Sequence, residues 1–496
     1  MAGAVRAGDR YRDAVPARLR PSLLLIPLLV ACVLLGVRGV ARGLDPGAIG
    51  GADFTMVYAG ARAWWLGLDP YDHAVLIELY TAAGGGRERD LDPRWFASLY
   101  PPTTYAVLGP LLGWAAWPWA RLIWMATNLV AWAGGGLLGD RLLRQGGAGP
   151  AGRLGWAAVW AGFGAVHTTL AFGQLGLVTG VLAVAGLVGV AGVARASRGF
   201  RETDRPDTGR LAGARRLLWP GLALAVASAL KPQLAGFFVL AAIALRPAVL
   251  MPAAATGLAL VVLAVGRLAA AGPDAAGWLG TLRHNLAAFR DPATAGLADP
   301  TPANPFTYQM IHLAPGLHRL GLGLGPVAGV LGWAAGLGLV AIVLHHLRRR
   351  GPIARDPAAL AWAAAGLGAA SLLVVYHRYY DAVVLLAVPV WLGLAWQNRR
   401  AWTRTERAGV ALVAAGFALL MIPGTSMLAM AVRRGWLPEV VTGVPGFDAL
   451  VLHHGVWATA AVALGLGLAV PRTSGLTAPP APAPAPPPSS PASGSP

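Results

Sequence analysis

Three aspartates near the start of the sequence could act on a hydroxyl group or hold one. Asp53 lies in Gly-Ala-Asp-Phe, about a dozen residues after the first long apolar segment. A carboxylate there could take a proton from an attacking hydroxyl as a general base. It could also cap a short helix at the membrane interface, and the two roles are compatible. Asp69 and Asp72, on either side of Pro70 and Tyr71, predict a turn and could also shape a sugar pocket.

The sequence contains one lysine, Lys231, among 40 basic residues. It lies between two short apolar segments and next to Pro232, which is expected to break the helix. A lysine at that depth is unfavourable unless it reaches water, an anion or a carboxylate. The amides of the following helix, which should begin near Gln233, would add positive potential, so we predict a phosphate site. The alternative is a lysine that snorkels to the interface, although an arginine would do that equally well.

Two further polar stretches interrupt the apolar sequence. Gln174, in Phe-Gly-Gln-Leu, needs a hydrogen-bond partner at membrane depth, and it either breaks a helix pair or binds a substrate hydroxyl. The run Tyr-His-Arg-Tyr-Tyr-Asp at residues 376–381 lies at one end of an apolar segment and is typical of a pocket wall. Within this run, Arg378 could pair with Asp381 or bind phosphate.

The sequence predicts neither a metal site nor a cofactor. Two pairs of adjacent histidines, His345 with His346 and His453 with His454, have no other ligands at metal-binding spacing. The single cysteine, Cys32, excludes an intramolecular disulfide and a thiolate metal cluster. The chemistry of the site must therefore come from carboxylates, amides, hydroxyls and fixed cations.

Composition determines which elements must position these residues. Of the 496 residues, 56% are hydrophobic and 12% are charged, about half the charged fraction of a soluble protein. We therefore predict an all-α polytopic membrane protein that is embedded in a lipid bilayer. The net charge of +18 does not indicate nucleic-acid binding, because the arginines occur in short runs between apolar segments. The first apolar segment follows basic residues and lacks a cleavage site, so we predict that it is an anchor.

Loop charges predict the orientation in the membrane. Residues 1–21, 195–216, 347–357 and 398–408 are rich in arginine and should face the cytoplasm. Residues 41–100 contain eight acidic residues and five arginines and should face outward. Polar and aromatic residues gather in the long outer loops, which favours an extracytoplasmic reaction centre in the cell membrane.

We predict about 12 transmembrane helices, with short helices in the outer loops. Residues 101–139 are too long for one helix and contain Pro118 and Arg121, so we expect a re-entrant or juxtamembrane piece in residues 101–120. The predicted parts are a cytoplasmic basic N-terminus (1–21), a transmembrane domain (22–470) with outer loops (41–100, 267–324 and 425–448), and a disordered Pro/Ala-rich cytoplasmic tail (471–496).

The order and spacing of these motifs resemble glycosyltransferase family 87 of the GT-C superfamily. The resemblance is to the polyprenol-phosphate-mannose-dependent α-mannosyltransferases of actinobacteria, and it covers about residues 20–400. It implies a GT-C-type helix bundle, a polyprenyl monophosphate sugar donor and an extracytoplasmic site. The motifs that carry it are Asp53-Phe54 through Tyr58, Gly67, Asp69-Pro70-Tyr71-Asp72, Tyr100-Pro101-Pro102, Gly173-Gln174 and Lys231-Pro232-Gln233.

The family resemblance implies roles for individual residues. An aspartate in the first outer loop would be the catalytic base, which corresponds to Asp53. An important histidine in a later outer loop would be either His312 or His377, and the sequence leaves both open. On this reading Asp53 activates an acceptor hydroxyl for one inverting displacement, and Lys231 and Arg378 stabilise the leaving phosphate. The residues expected to bind substrate are Asp69, Tyr71, Asp72, Gln174, Gln233, His312 and His377.

Three alternatives remain at this point. A transporter or flippase for a lipid-linked sugar should contain repeats with broken helices in matched halves, and no such symmetry stands out. A GT-C transferase could use polyprenyl phosphoarabinose instead of a hexose donor, because donor choice depends on the shape of the pocket. A non-catalytic membrane scaffold is the third alternative. The acceptor of a transferase would be a glycolipid or a glycan.

Overall fold

The computed structural model describes most of the predicted transmembrane domain. The predicted basic N-terminus and the Pro/Ala-rich tail lie outside the described residues, apart from residues 21 and 471, as do parts of the outer loops. The described residues are 21–45, 52–86, 97–199, 206–272, 277–291, 296–301, 303–304, 306–322, 325–349, 356–397, 399–421, 425–444 and 446–471.

The described residues are predominantly helical and form no β-strand, which confirms the all-α prediction. One isolated antiparallel bridge joins Met310 and Arg378. The α-helices of the first half are α1 (Pro21–Leu44), α2 (Ala52–Leu66), α3 (His73–Ala82), α4 (Pro102–Leu108), α5 (Trp117–Gln145), α6 (Pro150–Gly162), α7 (Gly164–Phe172), α8 (Gly176–Gly199), α9 (Pro206–Leu230) and α10 (Pro232–Leu245).

The second half contains further α-helices and several short helices of other types. The α-helices are α11 (Leu250–Ala270), α12 (Trp278–Arg290), α13 (Leu313–Arg319), α14 (Gly325–Arg349), α15 (Pro357–Val374), α16 (Ala387–Gln397), α17 (Arg404–Met421), α18 (Thr425–Arg433), α19 (Glu439–Thr442) and α20 (His454–Leu468). The 3₁₀-helices are Pro247–Val249, Thr307–Gln309, Tyr379–Leu386 and Arg399–Ala401, and the π-helices are Gly109–Gly113 and Phe447–Leu452.

Seven helices in the described part of the chain are long and apolar enough to cross a membrane. Their burial separates two classes. Only 11% of the span at Pro247–Ala270 is buried within the protein, so its apolar side chains are available to lipid. The span at Pro357–Val374 is 89% buried and forms part of the centre of the bundle. The prediction of a polytopic membrane protein is supported, while the number of about 12 spans stays a prediction.

Residues 101–139 are divided as the sequence analysis expected, but at a different residue. The π-helix Gly109–Gly113 continues α4, and α5 begins only at Trp117. Pro118 lies in the first turn of α5, where its missing N–H has no consequence, because the first amides of a helix lack an intrahelical partner. Pro118 therefore favours the start of the long helix and does not break it.

Most of helix α2 is buried within the protein. Phe54 and Tyr58 are fully or almost fully buried, and the ring of Phe54 stacks against Trp124 with 5.7 Å between centroids. The Tyr58 hydroxyl donates a hydrogen bond of 2.7 Å to the carbonyl of Ala115. Asp53 is the second residue of this helix and not its N-cap. The aromatic pattern of this segment is therefore a core pattern that holds the aspartate in a fixed place.

Candidate active site

A cavity of about 300 Å³ lies beside the first turn of α2 and collects most of the charged residues that the sequence singled out. Its size is at the lower end of the range for small-molecule sites. Helix α12 and the loop that follows it contribute the apolar lining residues Leu286, Phe289, Leu297 and Ala298. The polar lining residues are Asp53, Tyr100, Gln174, Lys231, Gln233, Arg290, Tyr376, Arg378, Tyr380 and Asp381.

The break between α9 and α10 places Lys231 at the cavity. Helix α9 ends at Leu230, and Pro232 begins α10 without an amide hydrogen to offer the preceding turn. The hydroxyl of Thr104 compensates, because it donates to the carbonyls of Ala229 and Leu230 at 2.8 and 3.2 Å. The stretch Tyr-Pro-Pro-Thr-Thr at residues 100–104 therefore starts α4 and also caps the end of α9.

Lys231 forms a buried ion pair with Asp381. The ammonium nitrogen is 2.5 Å from one carboxylate oxygen of Asp381, and the other oxygen is 2.9 Å from Nδ1 of His377. All three side chains are buried. The alternative pairing of Arg378 with Asp381 is not found, since Asp381 is bonded to Lys231 and His377. Lysine at this depth has thus reached a carboxylate, one of the partners that the sequence analysis allowed.

Arg378 is held beside the cavity by Tyr376 and by the backbone. Its Nε donates to the hydroxyl of Tyr376, and burial raises the pKa of this tyrosine to about 12 although the arginine opposes the shift. The amide of Ile311 bonds to the carbonyl of His377 at 3.1 Å and fixes the segment from the other side. Within the described residues, the Nη2 of Arg378 is buried without a hydrogen-bond partner. The guanidinium therefore retains a donor for a ligand.

Asp53 faces the same cavity and accepts a hydrogen bond from the side-chain amide of Gln174. The Tyr100 hydroxyl donates to the other end of that amide at 3.3 Å and orients it. Burial raises the pKa of Asp53 above its usual value, while Arg378, Gln174 and Lys231 oppose the rise. A carboxyl group with a raised pKa is a stronger base when it is ionised. Gln174 has thus found its partner in a carboxylate.

The loop that carries Gln174 depends on the glycine before it. Gly173 adopts a φ of +70°, which residues with a side chain rarely adopt, and ends α7. A Cβ at this position would lie 2.6 Å from the Cβ of Phe54. The carbonyl of Gly173 accepts a 2.7 Å hydrogen bond from the indole of Trp124. The Gly-Gln pair is therefore built to bring an amide against the first turn of α2.

Asp69, Tyr71 and Asp72 do not line the cavity. Asp69 accepts hydrogen bonds of 2.9 Å from the Tyr71 amide and from the hydroxyl of Thr281. Tyr71 is fully buried and donates to the carbonyl of Tyr100 at 2.8 Å. Asp72 caps α3. Asp69 and Tyr71 therefore support Tyr100, which lines the cavity.

The two candidate histidines lie behind the cavity wall. His377 supports Asp381, as described above, and burial lowers its pKa. The ring of His312 meets that of Tyr376 edge-on, with 5.8 Å between centroids, and burial lowers its pKa to about 3. Both histidines contact residues of the wall and neither lines the cavity. No group of three or more metal-ligating side chains occurs in the described part of the chain.

Sequence reasoning missed Arg290, and it assigned no role to Tyr100. Arg290 is the last residue of α12 and lies on the cavity with an exposed side chain. Arg290 lies two turns after Arg283 on an amphipathic helix, and this spacing places both on one face without indicating which of them lines a cavity. Tyr100 entered the sequence analysis only as part of the Tyr100-Pro101-Pro102 motif.

The cavity and the helices around it can be compared with known protein families. The family model of glycosyltransferase family 87 matches residues 99–376, more than half of the chain. The chain belongs to glycosyltransferase family 87. The matched residues of this family 87 transferase include Gln174 and Lys231, whereas Asp53 precedes them and Arg378 follows them. No curated protein and no solved structure matches the chain. The family makes the protein a glycosyltransferase, and its apolar helices make it a membrane protein.

Proposed function

We propose that this transferase moves a hexose, with mannose as the expected sugar, from a polyprenyl monophosphate sugar to a glycolipid or glycan acceptor. One observation carries the proposal: a buried carboxylate, Asp53, shares one cavity with three cationic side chains. A base and a set of fixed cations are what the transfer of a sugar from a phosphate requires. The choice of mannose and the actinobacterial type come from the resemblance of the motifs.

In the proposed reaction, Asp53 accepts the proton of the acceptor hydroxyl while the hydroxyl oxygen attacks the anomeric carbon. The bond between that carbon and the phosphate oxygen breaks, and the phosphate leaves with the bonding electrons. The donor is a phosphodiester with one negative charge, and the product is a phosphomonoester with two. The negative charge thus moves from Asp53 to the leaving group. Attack from the opposite face converts a β-linked donor into an α-linked product.

Lys231 and Arg378 would stabilise the charge that develops on the leaving phosphate. Both are buried beside the cavity, where a fixed charge acts more strongly than in water. Cavity residues Gln174 and Gln233 carry amides that can bond to sugar hydroxyls. Asp69, Tyr71, Asp72, His312 and His377 would support substrate binding through the residues that they position.

The polyprenyl tail would leave the cavity on its apolar side, past Leu286, Phe289 and Leu297. Many apolar contacts along the tail would supply binding energy remote from the reacting carbon. The net charges of the loops favour an extracytoplasmic cavity in the cell membrane, within a bundle of about 12 spans.

The test is the transfer of radiolabelled mannose from polyprenyl phosphomannose by protein purified in detergent. Asp53→Asn should lose about 100-fold to 10,000-fold in rate, the usual contribution of a general base. Glu78→Gln makes the same change of carboxylate to amide at an exposed position and is the matched control. Transfer by Asp53→Asn at the wild-type rate would exclude the assignment. Parallel assays with polyprenyl phosphoarabinose separate the two donor classes, and product formation in detergent separates a transferase from a flippase.

A further inference from the structure

The three cations of the cavity differ in what they can offer to a phosphate. Lys231 is already bonded to Asp381 at 2.5 Å. Arg378 bonds to a neutral hydroxyl, that of Tyr376, and one of its buried nitrogens has no hydrogen-bond partner within the described residues. The charge of a direct phosphate ligand should not already be paired with a carboxylate. Lys231 is paired with Asp381, whereas no ion pair of the described residues includes Arg378.

Arg290, at the end of α12, is the third cation that lines the cavity. Its neighbour Phe289 packs edge-on against Tyr376, with 5.2 Å between ring centroids. Tyr376 in turn holds Arg378, so the end of α12 lies directly against the wall that carries this arginine. Among the ion pairs of the described residues, none involves Arg290. Its side chain is exposed, whereas Arg378 is only 5% exposed.

The position of Arg290 also fits the shape of a lipid phosphate. The apolar residues Leu286 and Phe289 come from the same helix and line the same cavity. A donor whose tail follows this apolar side must place its phosphate where the tail ends and the polar cavity begins. Arg290 directly follows Phe289 on α12 and lines the same cavity as Arg378.

We propose that Arg290 and Arg378 together form the direct binding site for the phosphate of the lipid donor, and that Lys231 acts on the site through Asp381. The inference rests on the proposed function and names the ligands of its phosphate. Two arginine forks can hold phosphate oxygens in defined directions, as a single lysine cannot. The guanidinium of Arg290 would stay bonded to the phosphate after the sugar has been transferred. The polyprenyl phosphate product carries a second negative charge, which strengthens this bond.

The test compares Arg290→Gln with Arg283→Gln. Arg283 lies two turns earlier on α12, is exposed and does not line the cavity. The measurements are the KM for polyprenyl phosphomannose and the inhibition of transfer by undecaprenyl monophosphate and by undecaprenol. Arg290→Gln should weaken donor and monophosphate binding by about 10-fold to 100-fold, the range for a hydrogen bond between charged groups. Arg290→Lys should recover part of the loss.

The undecaprenol arm separates phosphate recognition from a change in the fold. Undecaprenol has the tail but no phosphate, so its inhibition should be equal in the wild type and in Arg290→Gln. Monophosphate inhibition that is unchanged in Arg290→Gln, or reduced equally for undecaprenol, would overturn the assignment. In that case a wild type that still transfers mannose keeps the proposed function intact. A wild type that neither transfers mannose nor binds the monophosphate would refute both proposals.

Discussion

Replacement of Gln174 by methionine should change the pH dependence of the reaction. Methionine has nearly the same size and shape but has no amide to donate to Asp53. The hydrogen bond from Gln174 stabilises the ionised carboxylate, and its loss should raise the pKa of Asp53 beyond the rise that burial already causes. The ionised form is the active base. The acid limb of the rate profile should therefore move to higher pH in Gln174→Met.

The size of this shift follows from the burial of the pair. Asp53 is 9% exposed and Gln174 is 2% exposed, so solvent screens their contact little. A hydrogen bond to a charged group contributes about 1.5–3 kcal/mol. One pKa unit corresponds to about 1.4 kcal/mol, so the acid limb should move upward by about 1–2 pH units. At pH values below the acid limb, the variant should be slower than the wild type by about 10-fold to 100-fold, because one pKa unit is a factor of ten in the ionised fraction. On the alkaline plateau the two rates should be similar.

The assay is kcat/KM for mannose transfer from acidic to alkaline pH, since this ratio reports the pKa values of the free enzyme. Gln145→Met makes the same change at an exposed position of α5 and should leave the profile unchanged. Tyr100→Phe leaves the amide on Asp53 and removes only the 3.3 Å contact to Gln174, so its limb should move much less. An acid limb that stays in place in Gln174→Met, or moves to lower pH, would refute the reasoning.

Three further predictions concern stability, each measured by thermal unfolding in detergent. Asp53→Asn should unfold at an unchanged or higher temperature, because burial raises the pKa of Asp53 and thus disfavours its ionised form in the folded state; a large fall would contradict this. Lys231→Met should lower the free energy of unfolding by about 3–5 kcal/mol, because it leaves Asp381 as a buried charge without its cation. The double variant Lys231→Met with Asp381→Asn should recover part of this loss. Lys231→Arg should also be destabilised. A loss in the double variant equal to the sum of the losses of Lys231→Met and Asp381→Asn would show that the pair is uncoupled. Gly173→Ala should be destabilised by about 1–2 kcal/mol or more, because φ is +70° there and the added Cβ would contact Phe54. Gly192→Ala is the control, since its Cβ would meet open space, and it should be neutral or slightly stabilising.

The sequence was sufficient to predict helices. Backbone N–H and C=O groups within a bilayer must form hydrogen bonds to one another, and a single apolar segment achieves this by forming a helix. The sequence was less informative about where helices break. Residues 154–170 form one largely apolar stretch of sequence, but Phe163 has an extended conformation and separates α6 from α7. The segment 380–397 begins as the 3₁₀-helix Tyr379–Leu386. These breaks and changes of helix type depend on packing between helices, and the hydropathy of one segment carries no information about that packing.

The same limit applies to the candidate site. Asp53 and Lys231 stand out because they are charged or lie beside apolar sequence. Their partners are 121 and 150 residues away along the chain, and no local pattern indicates which polar residues meet. Asp69 and Asp72 have the same local character as Asp53, yet they cap turns and helix ends. Residue type therefore identified candidates, while only the packing of helices separated those that line the cavity from those that support its wall.

The single lysine of the chain can be explained by the number of donors that its site can satisfy. An ammonium group is compact and has three N–H donors, whereas a guanidinium has five in a planar fork. At Lys231 the described contacts are one carboxylate oxygen of Asp381 at 2.5 Å and the ring of Tyr380 at 5.4 Å. Arg378, in the same cavity, already leaves one buried nitrogen without a partner. A guanidinium at residue 231 would bring five N–H donors to a place where the described contacts supply one carboxylate oxygen, and this opposes the preference for arginine in the rest of the chain.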